Sequence, residues 1–257
     1  MAIDVQVTDG ICTIVINRPE RLNAMDAEHY QGLSQAWCRV RDDASIRVAV
    51  ITGAGEKSFT TGADIKTFLT GPPGYDEMWL TQRDQLLNRG LEVWKPVIAA
   101  VNGYCLGGGM TLMLATDIRV AAPHATFSLA EVKRGVIPGN GGTQRILRQV
   151  PHAIGMEILL TGDPINAETA ARWGLVNKVV PADQLMNTAL DYARRIAANA
   201  PLAVQATKRM MRLGLEETFE ANVHHVYLQL LPLFRSKDFA EGVQAFIEKR
   251  PPVFEGR

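Results

Sequence analysis

Apolar residues in the first half of the chain fall in short clusters set between turn-forming residues, the pattern of strands rather than of long helices. Residues 5–8 and 11–16 flank Asp9-Gly10, a pair that favours a tight turn, so the two clusters are expected to pair as a hairpin. A turn around Pro19 leads to apolar positions at helical spacing over about residues 26–40, which predict an amphipathic helix. Residues 48–52 form a short uncharged run, apolar up to Thr52, the signature of a buried strand. Beyond it come GAGEKSFTTGAD, a loop containing Gly71-Pro72-Pro73-Gly74, a helix running through Leu87, and a second buried strand at 97–101. A glycine turn and a helix follow as far as Ala115, then strands at 118–121 and 126–129. The rhythm is strand, strand, helix, without a clean sequence repeat. From about Ala167 the pattern becomes helical, broken by one strand at 176–180, with helices expected at 182–198, 201–213, 216–231 and 238–249. The last of these read as a helical subdomain too small to stand alone, and their apolar faces favour an oligomer.

The composition narrows the class of molecule. Of 257 residues, 47% are hydrophobic and 21% charged, and 27 basic side chains balance 27 acidic ones. That excludes a disordered or strongly acidic chain. No basic excess is concentrated in either part, which argues against nucleic acid as a partner. Cys12, Cys38 and Cys105 are scattered and odd in number, so neither a disulfide framework nor a thiolate metal site is expected. MAIDVQVTDG lacks the features of an export signal, and a cytoplasmic location is the expectation. The uncharged stretch from Pro96 to Thr116 is long enough to suggest a membrane span, but it contains Asn102 and four glycines and ends in Asp117 and Arg119. A buried strand, a glycine loop and a buried helix account for it better, and no membrane partner is expected.

Most short motifs fail on detail. Gly53-x-Gly55-x-x-Ser58 lacks the third glycine of a dinucleotide fingerprint, and GEKS lacks the spacing of a phosphate-binding loop. His224 and His225 are neighbours on a predicted helix, their side chains about 100° apart, which is poor geometry for a shared metal. Two glycine loops are more informative. Residues 59–65 (FTTGADI) and 102–109 (NGYCLGGG) each follow a buried strand, and the second opens a helix near Gly108. Glycines there serve ordinary tight turns, or they leave paired backbone N–H groups open to an oxygen that gains negative charge.

The segments 17–24 (NRPERLNA), 59–65, 96–109, 135–144 (GVIPGNGGTQ) and 246–250 (FIEKR) together resemble the enoyl-CoA hydratase/isomerase, or crotonase, family in order and spacing over nearly the whole chain. The resemblance implies an α/β fold: a spiral of ββα repeats over residues 1–195 and a C-terminal helical trimerisation subdomain over 196–257. It also implies homotrimers or dimers of trimers and an acyl-CoA substrate, with no cofactor beyond the coenzyme A that the substrate carries. By position, the thioester carbonyl would lie between the N–H groups of Ala63 and Gly108. The segment Ala63, Asp64, Ile65 and Lys66 would line the path of the nucleotide and pantetheine, with Arg21 and Leu22 nearby, and Phe246 and Lys249 would contact coenzyme A, the latter pair from a neighbouring subunit. A neutral protein would then meet the anionic coenzyme with a few placed cations such as Arg21, Lys66 and Lys249.

Hydratases of this family resemble one another in carrying two catalytic glutamates. The second falls here on Glu131, whereas the first position holds Thr111, which is neither an acid nor a base near neutrality. One carboxylate is enough to take a proton from C2 and return it at C4, so the leading expectation is a Δ3-Δ2-enoyl-CoA isomerase with Glu131 as the proton shuttle. Hydration or dehydration with Glu131 alone is the alternative. A hydroxycinnamoyl-CoA hydratase-lyase would need a phenol-binding residue such as Tyr227 or His225, and a non-catalytic acyl-CoA-binding protein would have no use for Glu131. The loop around 71–77 and the helices after 216 are expected to shape the acyl pocket.

Overall fold

The computed structural model describes residues 1–68 and 85–257, so the expected Gly71-Pro72-Pro73-Gly74 loop and most of the helix before Leu87 lie outside the described residues. Strands β1 (Ile3–Thr8) and β2 (Ile11–Ile16) form the antiparallel hairpin, with Ile3 opposite Ile16 and Thr8 opposite Ile11. Asp9 and Gly10 turn it with φ of 52° and 75°, the two positive values that match the twist of the flanking strands. Strands β3 (Val48–Gly53), β5 (Val97–Val101), β7 (Ile118–Ala121) and β10 (Lys178–Val179) extend it in parallel, giving the order β1-β2-β3-β5-β7-β10. In a second sheet β4 (Ser58–Thr60), β6 (Tyr104–Leu106) and β8 (Thr126–Ser128) run parallel, with β9 (Ile165–Asn166) antiparallel to β8. After the opening hairpin, which lies wholly in the larger sheet, the pairs β3/β4, β5/β6 and β7/β8 each place their first strand in the larger sheet and their second in the smaller one. That is the spiral.

Period-two alternation explains why the strands read as unbroken apolar runs. Cys12, Ile14, Ile16, Ala49, Ile51, Val97, Ala99, Val101 and Ala121 enter one core, and Ile11, Val48, Val50, Ile98, Ala100, Val120 and Ala122 enter the other, so both faces of the larger sheet are covered. Leu33, Trp37 and Val40 of the helix Ala27–Asp42 share the first core with Phe59, Cys105 and Phe127 of the second sheet. Leu185, Ala189 and Ala193, spaced four apart on the helix Leu185–Ala197, close the second core. The helix Gly108–Leu114 is buried almost all round. The Arg119 guanidinium donates to the carbonyls of Met113, Leu114, Thr116 and Leu175, satisfying the chain where that helix ends.

Several boundaries differ from expectation, for local reasons. Leu87–Arg89 is a 3-10 turn closed by Gly90 in the left-handed region, and the expected 176–180 strand contracts to Lys178–Val179. The helices Gly142–Gln149 and His152–Thr161 precede the region where helices were expected; they start at Gly141 and Pro151 without a side-chain cap, so the usual polar start signal is missing. The helix expected at 216–231 runs instead from Phe219 to Phe234, because Thr218 caps it by accepting from the Ala221 N–H. Residues 182–184 form a 3-10 turn ahead of Leu185–Ala197, and the remaining two helices are Pro201–Leu213 and Lys237–Glu248. The C-terminal helices are tied to the larger sheet by Lys208, which donates to Asp117 and to the Lys95 carbonyl, and by Arg47, which donates to the carbonyls of Ala197 and Phe254. Phe219, Tyr227, Leu228, Leu231, Phe234, Phe246 and Ile247 on these helices remain exposed.

The tightest junction lies between the helix Gly108–Leu114 and β4, where a Cβ at Gly109 would collide with the Thr60 carbonyl. Gly109→Ala is therefore expected to cost about 3 kcal/mol in urea denaturation, at the upper end of overpacking effects. Gly139→Ala, at a position with nothing within 4 Å of the added carbon, is expected to leave the midpoint unchanged.

Candidate active site

Backbone hydrogen bonding sets the direction of the first key group. Met25 bridges the chain beside Ala63: the Met25 N–H donates to the Gly62 carbonyl and the Asp64 N–H donates to the Met25 carbonyl, both at 2.8 Å. In an extended segment successive N–H groups point to opposite sides, so the Ala63 N–H faces away from Met25. On that far side stands Gly108. A Cβ built on Gly108 would lie 3.6 Å from the Ala63 nitrogen, and one built on Gly62 would lie 2.6 Å from the Gly108 nitrogen. Gly62 is held at φ +84°, where a side chain is strained as well as excluded. Gly107 anchors the second loop by donating to the Ser128 carbonyl at 2.8 Å, and the helix begins one residue later. Among the described residues neither the Ala63 nor the Gly108 N–H donates to the protein. Two open donors, one at a helix start, make a pair suited to an oxygen gaining negative charge.

Glu131 is the second residue of the 3-10 helix Ala130–Arg134, just beyond β8, and is half-buried. Its Oε1 lies 3.5 Å from where a Gly107 Cβ would stand, so the carboxylate sits against the Gly107 loop. Its Oε2 is buried and has no hydrogen-bond partner among the described residues. Burial pushes its pKa above the usual carboxylate range, with its own backbone N–H and Arg134 opposing the shift. Thr111 follows Gly107 by one helical turn, its N–H bonded to the Gly107 carbonyl at 3.0 Å. Its Oγ is likewise buried and unpartnered, and faces the loop at Gly142, where an added Cβ would approach it to 2.8 Å. The structure therefore sets Ala63 and Gly108 side by side, with Glu131 against the Gly107 loop and Thr111 one turn along the helix with its hydroxyl toward Gly142.

The remaining expected residues divide into two groups. Asp64 is held by Arg18, whose Nη1 lies 3.0 Å from its Oδ2, and Leu22 turns at φ +53° with its carbonyl taken by Ser58 Oγ. Arg21, Ile65 and Lys66 are exposed on the same rim. Phe246 and Lys249 lie exposed on the last helix and its end, and no contact within this chain joins them to that rim among the described residues. Arg21, Lys66 and Lys249 form no ion pair among the described residues. His225 is bound to Glu217 at 2.9 Å and Tyr227 is exposed; neither is brought to Glu131. The described residues contain no group of ligands able to hold a metal, and no described helix is long and apolar enough to cross a membrane.

Sequence patterning missed the residues that shape the site. Asn23, fully buried, donates to the carbonyls of Ala54 and Ser58, while Asn102 donates to those of Gly53 and Gly55 and accepts from the Gly53 N–H. For Asn102 the available signal was an asparagine at the end of an apolar run, where a side-chain amide replaces the backbone partners that the sheet no longer supplies.

The sequence model of the enoyl-CoA hydratase/isomerase family matches residues 6–257. The chain belongs to this family. It is 44% identical, over the full length of both chains, to the (E)-benzylidenesuccinyl-CoA hydratase of Thauera aromatica. It is 40% identical to the carnitinyl-CoA dehydratase of Proteus mirabilis, over 96% of each. Its fold superposes on the crystal structure of enoyl-CoA hydratase EchA1 from Mycobacterium marinum with a TM-score of 0.90, at 39% identity over 100% of this chain and 99% of that one. The protein is thus an enzyme of the hydratase/isomerase family, with the crotonase fold.

The strained electrostatics of Glu131 have a measurable sign. A carboxyl whose folded pKa is raised stabilises the fold while protonated, and that contribution is lost as pH climbs from the unfolded value through the folded one. Glu131→Gln is therefore expected to be more stable than the parent above the raised pKa and equal to it well below, so the difference in Tm should grow as pH rises from about 4, the unfolded value, through the raised one. A difference that stays constant as pH rises from about 4 would place the carboxylate in a solvated environment.

Proposed function

We propose that this protein adds water reversibly across the C2–C3 double bond of an enoyl-CoA thioester. The observation that carries the reading is a half-buried carboxylate with an unpartnered oxygen, set against the loop that presents the Gly108 N–H. The names of the similar relatives, hydratase and dehydratase, support addition or loss of water ahead of the double-bond shift that the missing second glutamate had suggested.

In this reading the thioester oxygen accepts from the Ala63 and Gly108 N–H groups, which lowers the cost of placing an electron pair on it. A water bound at Thr111 Oγ gives a proton to Glu131 as its oxygen bonds to C3, and the C2–C3 pair shifts to form the enolate. Glu131, now protonated, returns that proton to C2, giving a 3-hydroxyacyl-CoA. One carboxyl serves as base and then as acid, a cycle suited to a pKa raised by burial. No resident cofactor takes part. Arg21, Leu22 and the segment Ala63, Asp64, Ile65 and Lys66 would bind coenzyme A. The exposed apolar faces of the helices after 196 would be covered in a trimer or dimer of trimers, which would bring Phe246 and Lys249 of one subunit toward the coenzyme of another. The single base also supports the Δ3-Δ2 shift, which serves as the competing outcome.

Offered a trans-2-enoyl-CoA and a trans-3-enoyl-CoA separately, the enzyme is expected to hydrate the first faster than it migrates the bond in the second; the opposite order would favour the isomerase. Glu131→Gln should lower hydration by about 10²- to 10⁴-fold. Binding of thioester by the parent without turnover would indicate a binding protein. Thr111→Val removes an unpartnered buried hydroxyl, so stability is expected to hold while hydration falls more than tenfold.

A further inference from the structure

Arg89 is a cation that the reaction above does not use. It ends the 3-10 turn Leu87–Arg89, whose Leu87 and Asn88 are buried and which packs on the helix Gly108–Leu114. The turn is fixed from its other side by Arg145, whose Nη1 donates to the carbonyls of Asn88 and Asn140, the latter in the glycine loop that faces Thr111. The Arg89 guanidinium lies over the Tyr30 ring, 5.9 Å from its centroid, and the Tyr30 hydroxyl lies 3.8 Å from where a Gly108 Cβ would stand. One aromatic ring therefore separates this cation from the proposed carbonyl-binding N–H. The guanidinium makes no ion pair and donates no hydrogen bond among the described residues, and its Nε is buried.

A buried guanidinium N–H without an acceptor is costly, and a carboxylate is the group that its planar fork matches. Resting on the reading that this site acts on enoyl-CoA thioesters, we infer that Arg89 selects acyl groups bearing a free carboxylate, so that the substrates are mono-CoA thioesters of unsaturated dicarboxylic acids. The coenzyme end is held at the rim, the thioester oxygen lies between Ala63 and Gly108, and the distal carboxylate meets Arg89 beside Tyr30.

The test compares trans-2-enoyl-CoA thioesters of matched length, one series ending in a carboxylate and the other in a methyl group. The parent enzyme should favour the carboxylated member in kcat/KM by about 10- to 100-fold, the worth of a hydrogen bond to a charged group. Arg89→Met should lose that factor on the carboxylated series and change the methyl series less than threefold, with Arg89→Lys restoring part of it. Equal losses on both series, or a parent preference for the methyl series, would overturn the assignment. Calorimetric binding of the corresponding saturated thioesters keeps the two proposals apart. If water addition fails with every substrate, the proposed reaction is wrong, while a carboxylate preference in binding that Arg89→Met abolishes still supports the selector. Absence of that preference in the parent refutes the selector whatever the reaction.

Discussion

The close approach of two backbone loops governs this structure. Gly62 and Gly108 come so near that a single methyl carbon on Gly62 would press on the Gly108 nitrogen, and Gly109 sits as tightly against Thr60. Nothing but glycine permits that separation, and the separation leaves the N–H groups of Ala63 and Gly108 side by side and open. The surrounding elements hold two chain segments that would otherwise relax apart.

How they are held is a matter of satisfying backbone groups. β4 is only three residues long, so it cannot by sheet pairing alone fix the loop that follows it. Asn23 and Asn102 supply side-chain amides to the carbonyls around β3 and β4, the Thr60 hydroxyl donates to the Asn23 carbonyl and accepts from the Gly62 N–H, and Arg18 ties Asp64 to Ala24 and Asp26. Arg119 does the equivalent work at the far end of the helix Gly108–Leu114. Buried polar networks of this kind stabilise only when every member is partnered, and these members are. The unpartnered buried atoms Glu131 Oε2 and Thr111 Oγ stand out for that reason, as does Arg89 Nε on the far side of Tyr30.

The spiral was legible because buried parallel strands write themselves as short apolar runs and their turns as glycines. Residues 11–16, 97–101 and 118–121 read directly as strands. The helices Gly142–Gln149 and His152–Thr161 were not legible, since they begin at glycine and proline without a capping side chain. At the site, Ala63, Gly108, Glu131 and Thr111 could be picked out by resemblance, and the departure at Thr111 could be seen. What the sequence could not convey was environment. Glu131 meets the Gly107 loop, and Arg89 meets the Tyr30 ring, only in three dimensions. The isomerase expectation came from counting carboxylates, and the names of the similar relatives, hydratase and dehydratase, support its alternative better.

The account rests on one chemical claim: two open N–H groups and one buried carboxylate suffice to make the C2 position of a bound thioester acidic. Proton exchange tests this without any dependence on hydration. Incubated in deuterium oxide with a saturated acyl-CoA, the enzyme is expected to exchange hydrogen at C2 and nowhere else along the chain, as followed by mass spectrometry, and Glu131→Gln to abolish the exchange. Failure of the parent enzyme to exchange C2 hydrogen in a saturated thioester that it demonstrably binds would contradict the account.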